Sequence, residues 1–249
     1  MFSERVSWGG LKSYVVHNAP DGQSPKLAVV LCHGYGAPGL DLVGLGEELW
    51  NAAPELAAEV ALVFPAAPLA LDEIGMLGGR AWWMLDLERL LNNPSRETML
   101  EFRCGIPAGL PDARERIVAL VEQVQENLKL SPSQIVLGGF SQGAMLAIDV
   151  ALNLPEPPAA LCILSGGVIC HPNWQALSSQ RGKLNVLQSH GRRDGILRFS
   201  EAQALQAMLV AGGANVDFIA FDGGHEIPPQ VIARMADLLK RLLAEQKPL

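Results

Sequence analysis

The chain has 249 residues, 49% of them hydrophobic and 18% charged, with a formal net charge of -7. That composition is globular; it excludes collagen-like and low-complexity classes, and no uncharged apolar stretch of about 18 residues is present to span a bilayer. A negative balance without a Lys/Arg cluster argues against a nucleic-acid backbone or a strongly anionic membrane as partner.

The opening Met1-Phe2-Ser3-Glu4-Arg5-Val6 lacks the basic region and apolar core of a secretory signal. Cys32 and Cys162 lie in strand-like runs, Cys104 and Cys170 in loop-like ones, with no CxxC pair, so free thiols and a cytoplasmic location are expected. Val6 to Trp8 and Ser13 to His17 alternate around Gly9-Gly10 and read as an antiparallel hairpin. After it come short continuous apolar runs: Leu27 to Cys32, Ala61 to Phe64, Ile135 to Leu137, Ala160 to Leu164, Val186-Leu187 and Val216 to Phe221. Such runs predict strands covered on both faces.

Helix-length segments separate them. From Asp112 to Leu130, Ile117, Leu120, Val121, Val124 and Leu128 keep a three-to-four spacing that Ser131-Pro132 ends; Glu201 to Leu209 and Val231 to Leu243 are similar. The alternation predicts an α/β fold with a mainly parallel, doubly wound sheet, an antiparallel N-terminal hairpin, and chemistry on loops after the strands. Ala66 to Pro111 breaks the rhythm with Gly75, Gly78-Gly79, Asn92-Asn93-Pro94, Pro107 and Gly109, and reads as an excursion over the site, a lid or pocket wall. No linker divides the chain, so residues 1–249 are expected to form one domain.

Gly139-Phe140-Ser141-Gln142-Gly143 stands where an apolar run meets the helix-forming run Ala144 to Leu152. This is the context of a nucleophile elbow, a strained strand-to-helix turn whose flanking glycines leave room for crowded backbone. Serine needs a base held by a carboxylate, in the chain order Ser, Asp or Glu, His. Of five histidines, His17 and His33 precede the serine, His190 closes a strand and His171 precedes a proline in a loop. His225, in Asp222-Gly223-Gly224-His225-Glu226, is the expected base. Asp194, in His190-Gly191-Arg192-Arg193-Asp194-Gly195, is favoured as the acid over Asp222. The oxyanion formed during attack needs two backbone N–H groups. Gln142, after the serine, and Tyr35, in His33-Gly34-Tyr35-Gly36 after an early strand, are the expected donors.

With His33 to Gly36, Phe64-Pro65-Ala66-Ala67-Pro68, Arg80-Ala81-Trp82-Trp83, the elbow, His190 to Asp194 and Gly223-Gly224-His225-Glu226 in place, the chain resembles, nearly end to end, the carboxylesterase and phospholipase branch of the α/β-hydrolases, which includes acyl-protein thioesterases. The resemblance implies a cofactor-free serine hydrolase with Ser141, Asp194 and His225 as triad and Tyr35 and Gln142 as oxyanion donors. Trp82-Trp83 matches the family's aromatic segment, which implies an apolar wall for the acyl or alcohol group, with packing of the excursion as the other reading. Met76, Leu77, Met84, Leu85 and Leu87 add apolar surface. Three positions depart from the family: Tyr35 where Leu is usual, Ala144 where Gly is common, and Gly195-Ile196-Leu197-Arg198 where Pro follows the acid. Tyr35 is expected to narrow the acyl pocket.

The expected reaction is hydrolysis of carboxylic esters of modest acyl length through an acyl-enzyme, with lysophospholipids or acyl-protein thioesters as alternative substrates. The partner is then a small-molecule ester, without nucleic acid or stable membrane insertion, and the protein a monomer or homodimer. Dispersed histidines without HExxH spacing predict no metal. A ligand-binding relative that keeps the elbow without turnover is the alternative from another class, disfavoured by the complete triad.

Overall fold

Two consecutive glycines shape the first turn. In the computed structural model, which describes residues 2–20, 23–86, 88–92 and 95–246, β1 (Phe2–Trp8) and β2 (Leu11–His17) run antiparallel with Trp8 opposite Leu11. Gly9 and Gly10 have φ of 58° and 70°, the left-handed pair whose twist suits a two-residue hairpin. Leu87, Asn93 and Pro94 of the excursion lie outside the described residues.

The apolar runs follow as β3 (Leu27–Cys32) and β4 (Val60–Pro65), then, after a small hairpin of β5 (Leu69–Ala70) and β6 (Arg80–Ala81), as β7 (Ile135–Phe140), β8 (Ala160–Leu164), β9 (Asn185–Gly191) and β10 (Asn215–Phe221). Among the described residues the main sheet has the order β1-β2-β4-β3-β7-β8-β9-β10. Only β2 pairs antiparallel, with β1 and β4; the rest is parallel. The doubly wound α/β fold and its antiparallel start are therefore as expected.

Seven α-helices are described: α1 (Val43–Ala52), α2 (Arg96–Cys104), α3 (Leu110–Leu128), α4 (Gln142–Asn153), α5 (His171–Arg181), α6 (Phe199–Ala211) and α7 (Pro229–Glu245). Strand alternation then sorts the core into two layers. Ala28, Val30 and Cys32 of β3 join α3 and α4 in one buried cluster, while Leu27, Val29 and Leu31 join α1 and α7 in the other. Each buried Leu or Val contributes on the order of 1.5–3 kcal/mol against exposure, so the two faces together explain why β3 and β4 are apolar at every position.

The helix that carries the elbow is tied sideways. Asp149 of α4 is buried and accepts from Trp174 Nε1 at 2.9 Å and Arg114 Nη1 at 3.0 Å, joining α4 to α5 and α3. Burial pushes its carboxyl pKa up, while the Trp174 and Arg114 bonds pull against that rise. Both carboxylate oxygens of Asp149 are thus engaged by neighbouring helices.

Candidate active site

Ser141 lies between β7 and α4 with φ 55° and ψ -117°. A non-glycine residue held there costs of order 1–3 kcal/mol, and the surroundings impose it: Ser141 N–H donates to Leu164 O at 2.9 Å, and Ser141 O accepts from Ala144 and Met145 N–H at 3.0 and 3.2 Å. The flanking glycines permit close backbone approach. A Cβ on Gly143 would stand 2.0 Å from Cys32 O, and one on Gly139 2.4 Å from the Gly143 carbonyl carbon.

The loop after β9 carries Asp194, whose side chain is fully buried. Its Oδ1 accepts from Ile196 and Leu197 N–H, both at 2.8 Å, and its Oδ2 lies 2.7 Å from His225 Nδ1 and 3.2 Å from His190 Nε2. Burial favours the neutral acid, but the bonds from His190, His225, Leu197 and Ile196 outweigh it and hold the carboxyl pKa well below the usual range. An ionised carboxylate only accepts, so His225 Nδ1 carries the hydrogen and Nε2 is left as the basic nitrogen. Phe140 packs against the imidazole with ring centroids 4.7 Å apart. Asp222, the other acid considered, is largely exposed and paired with Arg193 at 2.7 Å.

Ser141 and His225 line one cavity of about 250 Å³. Among the described residues their side chains form no hydrogen bond to each other; such a contact tightens when substrate binds. Tyr35 and Gln142 line the same cavity. As the first residue of α4, Gln142 has no carbonyl one turn back for its N–H, and the Tyr35 N–H meets no acceptor among the described residues. Gly34 brings the Tyr35 loop against the elbow, since a Cβ there would lie 3.4 Å from Ser141 Cβ. The loop is braced by β6: Gly36 N–H donates to Arg80 O at 2.8 Å and Arg80 N–H to Ala37 O at 3.0 Å.

Beneath this loop His33 is buried; its Nε2 accepts from Ala67 N–H at 2.9 Å and its Nδ1 donates to Gly34 O at 2.8 Å. Both bonds need the neutral ring, and burial, the largest cause, lowers its pKa from 6.5; burial lowers that of His17 as well. The unfolded chain therefore binds more protons between the lowered values and 6.5, so stability rises with pH across that window. Urea midpoints are expected to hold steady above pH 7 and to fall as the pH drops below about 6.5. His33→Asn should flatten much of that slope.

Trp82 and Trp83 are placed differently from the expected wall. Both are 1% exposed and sit in the core cluster rather than on the cavity. Trp82 Nε1 donates to His33 O at 2.9 Å, and the buried Gln142 side chain clamps the pair, accepting from Trp82 N–H at 3.1 Å and donating to Trp83 O at 2.8 Å. Packing of the excursion is thus their observed part. The cavity's apolar wall comes instead from Met76, Leu85, Leu90, Met99 and Phe102 of the excursion, with Ile196 and Leu197 after the acid. Leu77 and Met84 are exposed off that wall, Leu87 lies outside the described residues, and Tyr35, the departure from the family's Leu, does line it.

The sequence reading passed over His190. It is 0% exposed, and its Nε2 approaches Leu197 O at 2.8 Å, which only accepts, so Nε2 bears the hydrogen it shares with Asp194. The signal is its i, i+4 spacing to Asp194, which its place at the close of a strand obscures. Among the described residues no three His, Cys, Asp or Glu side chains group as a metal site, and no helix is long and apolar enough to cross a membrane.

Residues 15–243 match the family model described as phospholipase/carboxylesterase. Acyl-protein thioesterase 1 of Eremothecium gossypii is 30% identical over 234 residues, 91% of this chain and 92% of that protein. A probable carboxylesterase of Oryza sativa subsp. japonica is 27% identical over 78% of this chain and 79% of its own. The crystal structure of esterase PE8 superposes with a TM-score of 0.77 at 28% identity, covering 93% of this chain and 99% of that one. With the family match spanning all but the first 14 and last six residues, the chain belongs to the phospholipase/carboxylesterase family of α/β-hydrolases and is an ester hydrolase.

Proposed function

We propose that the chain, as one α/β-hydrolase domain over residues 1–249, cleaves carboxylic esters of modest acyl length through an acyl-enzyme on Ser141, in the cytoplasm and as a monomer or homodimer. His225 Nε2 takes the Ser141 proton as Oγ attacks the ester carbonyl. The oxyanion is met by the Tyr35 and Gln142 N–H groups, and Asp194 stabilises the imidazolium. His225 then protonates the departing alcohol, and in a second round activates the water that releases the acid. The observation that carries this reading is the 2.7 Å contact between His225 Nδ1 and the buried Asp194, opening on the cavity where Ser141 sits in its strained turn.

The volume supports the acyl size. About 250 Å³ falls just short of the roughly 300 Å³ at which pockets for drug-sized ligands begin, and its wall is Met, Leu and Phe. With p-nitrophenyl esters, kcat/KM is expected to peak at short to medium acyl chains and fall several-fold or more for palmitate. A rise through palmitate would reject the size assignment. The thioesterase named among the relatives supports including thioesters of the same chain lengths in that panel.

A further inference from the structure

A second groove, of about 580 Å³, lies between the β1-β2 hairpin and the start of the excursion and shares no lining residue with the Ser141 cavity. Its lining holds three cations, Arg5, Lys12 and Arg80, and no carboxylate, in a chain with 26 acidic residues against 19 Lys and Arg. Among the described residues none of the three forms an ion pair. They are scattered along the sequence, so no basic run announces them; the fold gathers them.

Strand register pairs Arg5 with Tyr14 and Ser7 with Lys12, which puts both cations on the same face of the hairpin. Arg5 donates from Nε to the Tyr14 hydroxyl, and its guanidinium lies 5.0 Å from the Tyr14 ring centre. Lys12 O in turn accepts from Ala66 N–H at 2.8 Å. The next two residues hold Arg80, whose Nε and Nη2 donate to Ala67 O and, at 3.0 Å, to Pro68 O. The Arg80 guanidinium is therefore fixed by neutral carbonyls in the same groove as Lys12, and it forms no ion pair among the described residues.

Charge on an edge strand also guards against edge-to-edge pairing, but that accounts for Arg5 alone. Lys12 is on β2, which is paired on both sides, and Arg80 is outside the main sheet. Uncompensated cations in a concave site focus positive potential, and guanidinium forks match phosphate oxygens. We propose that this groove binds a phosphate ester, its oxyanion held by Arg5, Lys12 and Arg80 and its organic part lying on Pro38 and the exposed Leu40.

The test titrates the full chain by calorimetry with glycerol 3-phosphate and, in parallel, measures co-sedimentation with phosphatidylcholine vesicles with and without phosphatidic acid. The comparison protein is the double variant Arg5→Ser, Lys12→Ser, whose turnover of p-nitrophenyl acetate should stay within about twofold of the parent because neither residue reaches the Ser141 cavity. That control keeps the outcome separate from the fate of the Ser141 mechanism. Saturable, phosphate-dependent binding in either arm, weakened about tenfold or more in the variant, is the expected result. Binding of glycerol 3-phosphate identifies a soluble ester as the source, and binding of acid-bearing vesicles alone identifies a lipid headgroup. No phosphate-dependent binding in either arm, or binding unchanged in the double variant, overturns the proposal.

Discussion

Ser141→Ala is expected to lower kcat on p-nitrophenyl esters by on the order of 10⁴ to 10⁶ and to abolish labelling by a fluorophosphonate probe. The loss should leave a residue of catalysis above the water reaction, because the proposed backbone donors, Tyr35 and Gln142, and the apolar wall of the cavity would remain. Folding should not change, since alanine occupies the same strained turn. A companion variant separates strain from chemistry. Ser141→Gly loses the same nucleophile but relieves the φ of 55°, so it is expected to be as inactive as Ser141→Ala and more stable by about 1 kcal/mol, read as a higher urea midpoint with an unchanged slope. Turnover and labelling that survive Ser141→Ala would place the nucleophile elsewhere.

The parts of this fold that were legible are those where one physical signal acts alone. β3 and β8 are buried on both faces and apolar at every position, so their limits match the expected runs. β9 is longer than Val186-Leu187 because Gln188, Ser189 and His190 are polar yet 0% exposed; Gln188 Nε2 finds Ala202 O at 2.8 Å, a partner no local pattern reveals. α5 buries only Trp174 and Ser178, and α2 only Thr98, so neither shows an apolar stripe. The order of Ser141, Asp194 and His225 was readable because each follows a strand of the parallel sheet. The wall was not: which of the excursion's apolar side chains face the cavity depends on the Gln142 clamp that draws Trp82 and Trp83 inward, a contact spanning about 60 residues.

Asp194→Asn is the second large effect, and the hydrogen bonds around the carboxyl dictate how it arises. Oδ1 already accepts from the Ile196 and Leu197 N–H groups, so the amide oxygen of an asparagine must take that position and its NH₂ must turn toward His225 and His190. An NH₂ facing His225 Nδ1 requires that nitrogen to accept, which moves the ring hydrogen to Nε2 and removes the base that Ser141 needs. The same NH₂ meets the Nε2–H of His190, donor against donor, so His190 loses its share of the site while keeping Leu197 O. The expected fall in kcat is about 10⁴ with little change in KM, the signature of a misplaced proton rather than a damaged pocket. Asp222→Asn should stay within about twofold, because that carboxylate is exposed and its partner is Arg193. His190→Phe, which keeps the ring's bulk but donates nothing, should lose less than Asp194→Asn, since it leaves the His225 tautomer correct and removes only one of the bonds that keep the acid ionised. A larger loss from Asp222→Asn than from Asp194→Asn would move the acid to Asp222 and take the role of His190 with it.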